Sequence, residues 1–251
     1  MRIAIVGGTG TLGKHVVAEL SERGHEVRAL SRSGEYPVDL TTGEGLAKAV
    51  AGCDVVVDAS NATAKHAAQV LVAGSRRLLA AEQEAAVGHH IAVSIVGCDQ
   101  VPVGYYRVKV DQEHVVEQGP VPWSIAQATQ FHELARAMLA AAGKFRILPV
   151  PSIELQTIAA TEVARAIADL AEGPPRRSRI RIGGPQICTA RQLATTWRDV
   201  TGRRALLLPV PLPPGKLGRA LRERGLTTAD PDIRGKITWA DWLRAQEAPG
   251  S

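Results

Sequence analysis

Seven residues near the start of the chain, Gly7-Gly8-Thr9-Gly10-Thr11-Leu12-Gly13, have the composition and spacing to hold a phosphorylated ligand. They stand between a short apolar stretch, Arg2–Val6, and a segment with helical spacing, so their context is strand, turn, helix. In such a turn Gly7 lets the chain leave the strand sharply. Gly10, lacking a Cβ, lets a pyrophosphate approach the backbone, and Gly13 lets the helix pack close to the strand. Thr9, Thr11 and Leu12 complete the loop, where the helix N-terminus offers free N–H groups and a positive dipole end to an anion. The plainer alternative is a glycine turn that binds nothing. It fits less well, because three glycines at three-residue spacing carry a conformational cost that an idle loop does not offset.

The second strand ends Ala29-Leu30-Ser31-Arg32-Ser33. A site for NAD usually places an acid at this point to accept from the ribose hydroxyl. Here a guanidinium stands instead, matched to a 2′-phosphate in shape and charge, and Ser31 and Ser33 can add hydrogen bonds. The expected cofactor is NADP(H). Further on, Tyr105 and Lys109 lie four apart on a predicted helix and so share one face. A free tyrosine has a pKa of about 10, and a close ammonium lowers it toward the range of acid–base work. Tyr106 is the alternative inward residue, and a packing aromatic is the alternative role for Tyr105.

These stretches resemble the atypical and extended short-chain dehydrogenase/reductase superfamily, specifically its NmrA-like or NAD(P)H-binding group. The resemblance is carried by the Gly-x-x-Gly-x-x-Gly turn at 7–13 and by Val-Arg-Ala-Leu-Ser-Arg at 27–32. It extends to Tyr-Tyr-Arg-Val-Lys at 105–109 with Gln112-Glu113, and to Ala-Thr-Gln-Phe-His at 128–132. It implies that Tyr105 exchanges a proton with a substrate oxygen, that Lys109 also holds the nicotinamide ribose, and that Ser94 is the helper serine. It further implies Asp39 near the adenine edge, Ala59, Ser60 and Asn61 bordering the ribose, and Thr129, Gln130 and Phe131 beside the nicotinamide. Phe131 is equally suited to the core. Gln127 stands where the family often has an arginine, which removes a substrate-anion role from that position.

Other chemistries fit poorly. His132-Glu133-Leu134-Ala135-Arg136 begins like a zinc-protease helix, but Arg136 occupies the second histidine position, so no metal is expected. His89 and His90 are adjacent and face opposite ways. No Gly-x-Ser-x-Gly elbow is present. Lys14 follows Gly13 without the hydroxyl or the glycine spacing of a phosphate-loop NTPase. Cys53, Cys98 and Cys188 are far apart and odd in number, which suits neither a zinc site nor a disulfide framework.

The elements that must position these residues alternate. Strands are expected at Arg2–Val6, 25–30, 38–40 (short), 55–59, 91–96 and 122–126. Helices are expected at 11–23, 45–51, 64–86, 105–118 and 131–142. That alternation implies right-handed βαβ units and a doubly wound parallel sheet of α/β class. The pattern divides the chain into a nucleotide-binding domain over 1–145 and a small substrate lobe over 146–251, which partly completes the sheet through 179–182. In the lobe, Thr161-Glu162 reads as the start of a helix over 161–171. Thr189–Thr201 reads as another. Residues 206–215 carry five prolines or glycines and read as irregular, and 245–251 as a frayed tail.

The whole chain sets the remaining bounds. Its 251 residues are 45% hydrophobic and 22% charged, with net charge +5, the mix of an ordinary globular protein. No stretch approaches the roughly 20 apolar residues of a membrane helix, and the N-terminus lacks the shape of a signal peptide, so a cytoplasmic location is expected. The late excess of basic residues, including Arg176, Arg177, Arg203, Arg204, Arg219, Arg222 and Arg224, is interleaved with apolar residues and prolines. It reads as solvated surface; no nucleic-acid module accompanies it. Partners reduce to a partly apolar small molecule, with the chain a monomer or homodimer. Two functions fit: a reductase passing hydride between NADPH and a small carbonyl, quinone or enone, and a non-catalytic NADP(H)-binding redox sensor.

Overall fold

A computed structural model describes residues 1–102, 104–223 and 225–248. The chain divides into two compact units, neither continuous in sequence. The first is drawn from Met1–Ile95, the described part of 103–127, and Val163–Ile180. The second takes Val96–Pro102, Ala128–Glu162 and the described residues from Arg181 onward.

The first unit opens β1 (Arg2–Val6), α1 (Gly13–Glu22), β2 (Glu26–Ser31), β3 (Tyr36–Pro37), α2 (Leu46–Val50) and β4 (Val55–Asp58). A π-helical turn (Ala68–Ala73) then runs into α3 (Gly74–Glu84). It is followed by β5 (His89–Ile95), α4 (Gly104–Glu117) and β6 (Trp123–Ala128). The apolar residues decide these elements. Helix α1 buries Val16 and Leu20 at helical spacing, whereas every residue of β4 is buried, as expected of a strand covered on both faces. Leu30, Val56, Leu78, Val116 and Ile125 share one core. Helix α6 (Ala160–Glu172) belongs largely to this unit. Arg23, just past α1, donates to Asp169 at 2.7 Å and to Glu172 at 2.8 Å.

The second unit contains α5 (His132–Gly143), β7 (Ile147–Pro151), β8 (Glu154–Leu155), β10 (Cys188–Thr189) and α7 (Ala190–Thr201). It also holds β11 (Leu206–Val210), α8 (Lys216–Arg222), β12 (Ile233–Arg234) and α9 (Trp239–Glu247). Its core gathers Leu148, Val150, Leu193, Trp197, Trp239 and Trp242. Thr189 caps α7 in a reciprocal capping box with Gln192, and Gly202 ends that helix at φ 65°, a left-handed stop that suits glycine.

With β9 (Arg179–Gly183), eight strands form one sheet in the order β12-β9-β6-β5-β4-β1-β2-β3. The β2–β3, β1–β2, β1–β4, β4–β5 and β9–β12 pairs are all parallel. The fold is the doubly wound α/β class, and its winding reverses between β1 and β4. Ligands of open α/β sheets lie at that switch point, outside the carboxyl ends of the strands.

Several expectations are corrected. The short third strand is Tyr36–Pro37; Val38 and Leu40 are buried beyond it, and the Val38 amide still donates to the Ser31 carbonyl of β2 at 2.9 Å. The long helix expected over 64–86 instead opens with the π-helical turn and runs as α3 only over Gly74–Glu84. Helix α6 starts at Ala160, so Thr161 lies inside it and is not its cap. Residues 206–210, read as irregular, form a strand parallel to β7, with Leu208 opposite Pro149 and Pro209 opposite Val150. Prolines are tolerated because this is a two-stranded ribbon, where each strand has an edge that needs no donor. Of the tail, residues 245–247 belong to α9, while 249–251 lie outside the described residues, as does Arg224.

Candidate functional site

The glycine turn joins β1 to α1, and its geometry explains each glycine. Gly7 has φ +75°, and a Cβ there would sit 2.8 Å from the Ala59 carbonyl oxygen. A Cβ on Gly13 would lie 2.1 Å from the Gly7 oxygen, so only glycine lets α1 start this close to the loop. Gly10 differs: its Cβ would meet one atom, the Gly7 oxygen, at 3.1 Å, and the residue is exposed. Its bareness serves access more than packing. Gly8, given no role from sequence, packs against β2, where a Cβ would come 2.9 Å from Ala29 Cα. The doubled glycine was the available signal. Thr9 and Thr11 are exposed and Leu12 is buried. Leu12 caps α1 without a side-chain hydrogen bond, and the first turn has no acid. The helix end therefore presents amides and dipole to an anion.

Ser31, Arg32 and Ser33 follow at the carboxyl end of β2. Arg32 and Ser33 are exposed, and the Ser31 hydroxyl donates to the Ser33 carbonyl. Asp39 is half-buried, and its Oδ1 accepts from the Thr41 hydroxyl at 2.6 Å and from the Thr41 amide at 2.7 Å. Those bonds hold its carboxyl below the usual carboxylate range.

At the carboxyl end of β4, Ala59 is half-buried, Ser60 buried and Asn61 exposed. The Ser60 Oγ is buried and meets no hydrogen-bond partner among the described residues. Next to it Asn61 Oδ1 accepts from the Tyr105 hydroxyl at 2.6 Å. The structure thus brings the first residue of the Tyr-x-x-x-Lys pair to the loop that sequence assigned to the ribose. Burial, and after it Tyr106, pushes the Tyr105 pKa up, opposite to the lowering expected from a nearby ammonium.

Lys109 faces inward on α4. Its Nζ donates to the Val93 carbonyl at 3.0 Å and to Gln112 Oε1 at 2.9 Å. Gln112 Nε2 in turn donates to Asp58 Oδ2 at 3.1 Å and to Ser75 Oγ at 3.1 Å. Asp58 also accepts from the Ser60 amide at 3.0 Å. A chain of buried hydrogen bonds therefore joins Lys109 on α4 to the end of β4. Sequence reasoning quoted Gln112 without a role and missed Asp58 and Ser75; one acid closing the run Val-Val-Val-Asp was the visible hint. Ser94 is buried in β5.

The neighbouring sequence features have structural roles. His89 and His90 point apart, with His89 Nε2 2.8 Å from Ser124 Oγ and His90 Nδ1 2.9 Å from both oxygens of buried Glu82. Gln127 Nε2 donates to Glu113 Oε1 at 2.8 Å. In the second unit, Thr129 is buried and its Oγ1 accepts from the Gly184 amide at 3.1 Å. Phe131 is half-buried and pairs with Ile158 across a β-bridge.

The family described as NAD(P)H-binding matches residues 7–174, more than half of the chain, from the glycine turn past α6. The chain belongs to the NAD(P)H-binding family. This bears out the resemblance to the atypical short-chain dehydrogenase/reductases. A 4-hydroxy-2-methyl-3-oxo-4-farnesyl-3,4-dihydroquinoline-1-oxide ketoreductase of Stigmatella aurantiaca is 32% identical over 154 residues, covering 52% of this chain and 44% of that protein. A photosystem II assembly factor of Synechocystis is 31% identical over 147 residues, covering 52% and 45%. The chain thus matches less than half the length of either curated relative. Among solved structures, an NADPH-dependent quinone oxidoreductase of Escherichia coli, complexed with NADPH, superposes with a TM-score of 0.81 at 16% identity. That match covers 97% of this chain and 99% of the other, a likeness of fold.

The described residues suit the family's nucleotide. A cradle that a Cβ would fill, a helix start with neither side-chain cap nor acid, and an orphaned buried hydroxyl at Ser60 all lie at the switch point of the sheet. Among the described residues no helix is long and apolar enough to cross a membrane, and no cluster of three or more His, Cys, Asp or Glu could hold a metal ion.

Proposed function

We propose that the protein is an NADP(H)-dependent oxidoreductase acting on a small carbonyl, quinone or enone. The bond from the Tyr105 hydroxyl to Asn61 carries this reading, because it fixes a proton donor at the carboxyl end of β4. When bound, the cofactor supplies or accepts the hydride. The chain's residues do the rest. Backbone amides of Thr11, Leu12 and Gly13 receive the pyrophosphate, the Gly10 amide being held by the Gly7 carbonyl at 2.9 Å, and Arg32, with Ser31 and Ser33, receives the 2′-phosphate. The free Ser60 hydroxyl is placed to bond a ribose. Lys109, anchored through Gln112 to Asp58, orients the nicotinamide end. Tyr105, kept protonated by burial, is a general acid in the direction of reduction. Ser94 is assigned the helper's hydrogen bond to the substrate oxygen. The ketoreductase relative supports carbonyl chemistry by its name.

A second reading is an NADP(H)-binding sensor without turnover. It is favoured by the engagement of Lys109 with Val93 and Gln112, and by a relative named as an assembly factor. Steady-state NADPH oxidation against a panel of quinones, aldehydes and enones separates the two. Turnover with any of them supports the oxidoreductase. Calorimetric NADPH binding with no turnover across the panel supports the sensor, and no heat with any pyridine nucleotide overturns both.

A further inference from the structure

In the second unit the β7–β11 ribbon is apolar on both faces. Its inner face sends Leu148, Val150 and Leu207 into the core around Trp197. Its outer face carries Ile147, Pro149, Leu206 and Leu208, all exposed. Register places Leu206 opposite Ile147 and Leu208 opposite Pro149, so these four side chains project together. Phe145, two residues before the ribbon, is 80% exposed. Large apolar groups held in water at this density mark a contact surface.

The charged residues beside them are predominantly cationic, with Arg198 the one paired there among the described residues, to Asp199 at 3.6 Å. An open cleft of about 650 Å³ is lined by Leu206 together with Arg146, Arg198, Arg203 and Arg204, and Asp199 is the one acid among its lining residues. Lys144 is exposed on the same turn as Phe145 and Arg146. Arg146 holds φ 55°, a left-handed conformation unusual for a side-chain-bearing residue. Arg203 lies 5.7 Å from the Trp197 ring centroid, so the cationic rim is fixed to the core beneath the ribbon.

We propose that this face docks on an anionic lipid bilayer, with Phe145 and the outer leucines entering the interface and the arginines meeting lipid phosphates. Charge complementarity selects that occupant. A second copy of the chain would set arginine against arginine, and a neutral apolar partner would leave the cations unpaired. Apolar insertion with a basic rim is the arrangement by which peripheral proteins lie on anionic membranes. The inference stands apart from the proposed catalysis.

Flotation of the full chain with phosphatidylcholine vesicles, with and without about one-third phosphatidylglycerol, tests it, alongside Arg203→Glu/Arg204→Glu and Phe145→Ser/Leu206→Ser. Thermal midpoints confirm that each variant folds, and the single Arg204→Gln replaces a pair that does not. The expected result is binding to the anionic vesicles alone, weakened at least about tenfold by either folded pair and reduced by salt. The proposal is overturned by equal binding to both vesicles or by binding to neither. It is also overturned if Phe145→Ser/Leu206→Ser binds unchanged while inorganic phosphate competes, since that describes an ion site. A dimer in sedimentation that Phe145→Ser/Leu206→Ser dissolves would likewise replace the bilayer with a second copy.

Discussion

The Tyr105 hydroxyl donates to Asn61 Oδ1 at 2.6 Å, and that one bond ties the first turn of α4 to the loop after β4. Tyr105→Phe keeps the ring and removes the proton. We expect turnover to fall by about a hundredfold or more, the usual scale of a lost general acid, with NADPH affinity nearly unchanged. Burial raises the Tyr105 pKa, so the phenol stays neutral up to an alkaline pH. Wild-type reduction should therefore lose rate only as pH rises above the ordinary tyrosine range. A pH profile of reduction beside a calorimetric titration reads both effects.

Arg32 is exposed at the end of β2 with no acid beside it in the run Ser31-Arg32-Ser33. Arg32→Ala should weaken NADPH by more than tenfold, about 1.4 kcal/mol, and leave NADH nearly as before. Equal losses for the two nucleotides, by fluorescence titration, would remove the 2′-phosphate assignment.

Two glycines of one turn should respond differently. Gly13→Ala sets a Cβ 2.1 Å from the Gly7 oxygen, so α1 must shift and the thermal midpoint should drop, by the roughly 1–3 kcal/mol of an overpacked site or more. Gly10→Ala meets only one atom, at 3.1 Å, and should melt near wild type while losing nucleotide affinity. Differential scanning fluorimetry with and without NADPH distinguishes them.

His89 and His132 are both buried, and burial lowers each pKa to about 4. Their folded forms resist protons that the unfolded chain accepts at the ordinary value of 6.5. Their stability is thus fully present above pH 6.5 and is lost as pH falls toward about 4, by up to about 3 kcal/mol for each. Melting across that range should show it. His132 packs beside the stacked pair Trp239 and Trp242, so His132→Phe should flatten the slope relative to wild type.

What sequence made legible followed local rules. The glycine turn, the βαβ alternation and the buried run of β4 depend on short-range spacing, and each is found where expected. Ser60 and Asn61 entered through the family resemblance, and they follow that run directly. The Asp58, Ser75, Gln112 and Lys109 chain was not legible, because it joins residues as much as 54 apart and each partner alone is an ordinary polar residue. The β7–β11 pairing was hidden for a related reason. Proline signals a break unless the strand has an unpaired edge, and the edge exists only once the ribbon is assembled. Tyr105 was located by its spacing, but the direction of its pKa depended on burial that spacing does not report.

The first unit closes through Val163–Ile180, where Asp169 and Glu172 meet Arg23 and the Ser178 carbonyl accepts from the Ile125 amide at 3.1 Å. During translation, the dinucleotide fold therefore stays incomplete until the ribosome has delivered residues far beyond β6. A truncated chain ending after α5 would emerge with β6 bare along one side and the Arg23 pairs unmade. Such a nascent chain exposes a strand border of the kind that invites misassembly until Val163–Ile180 arrives.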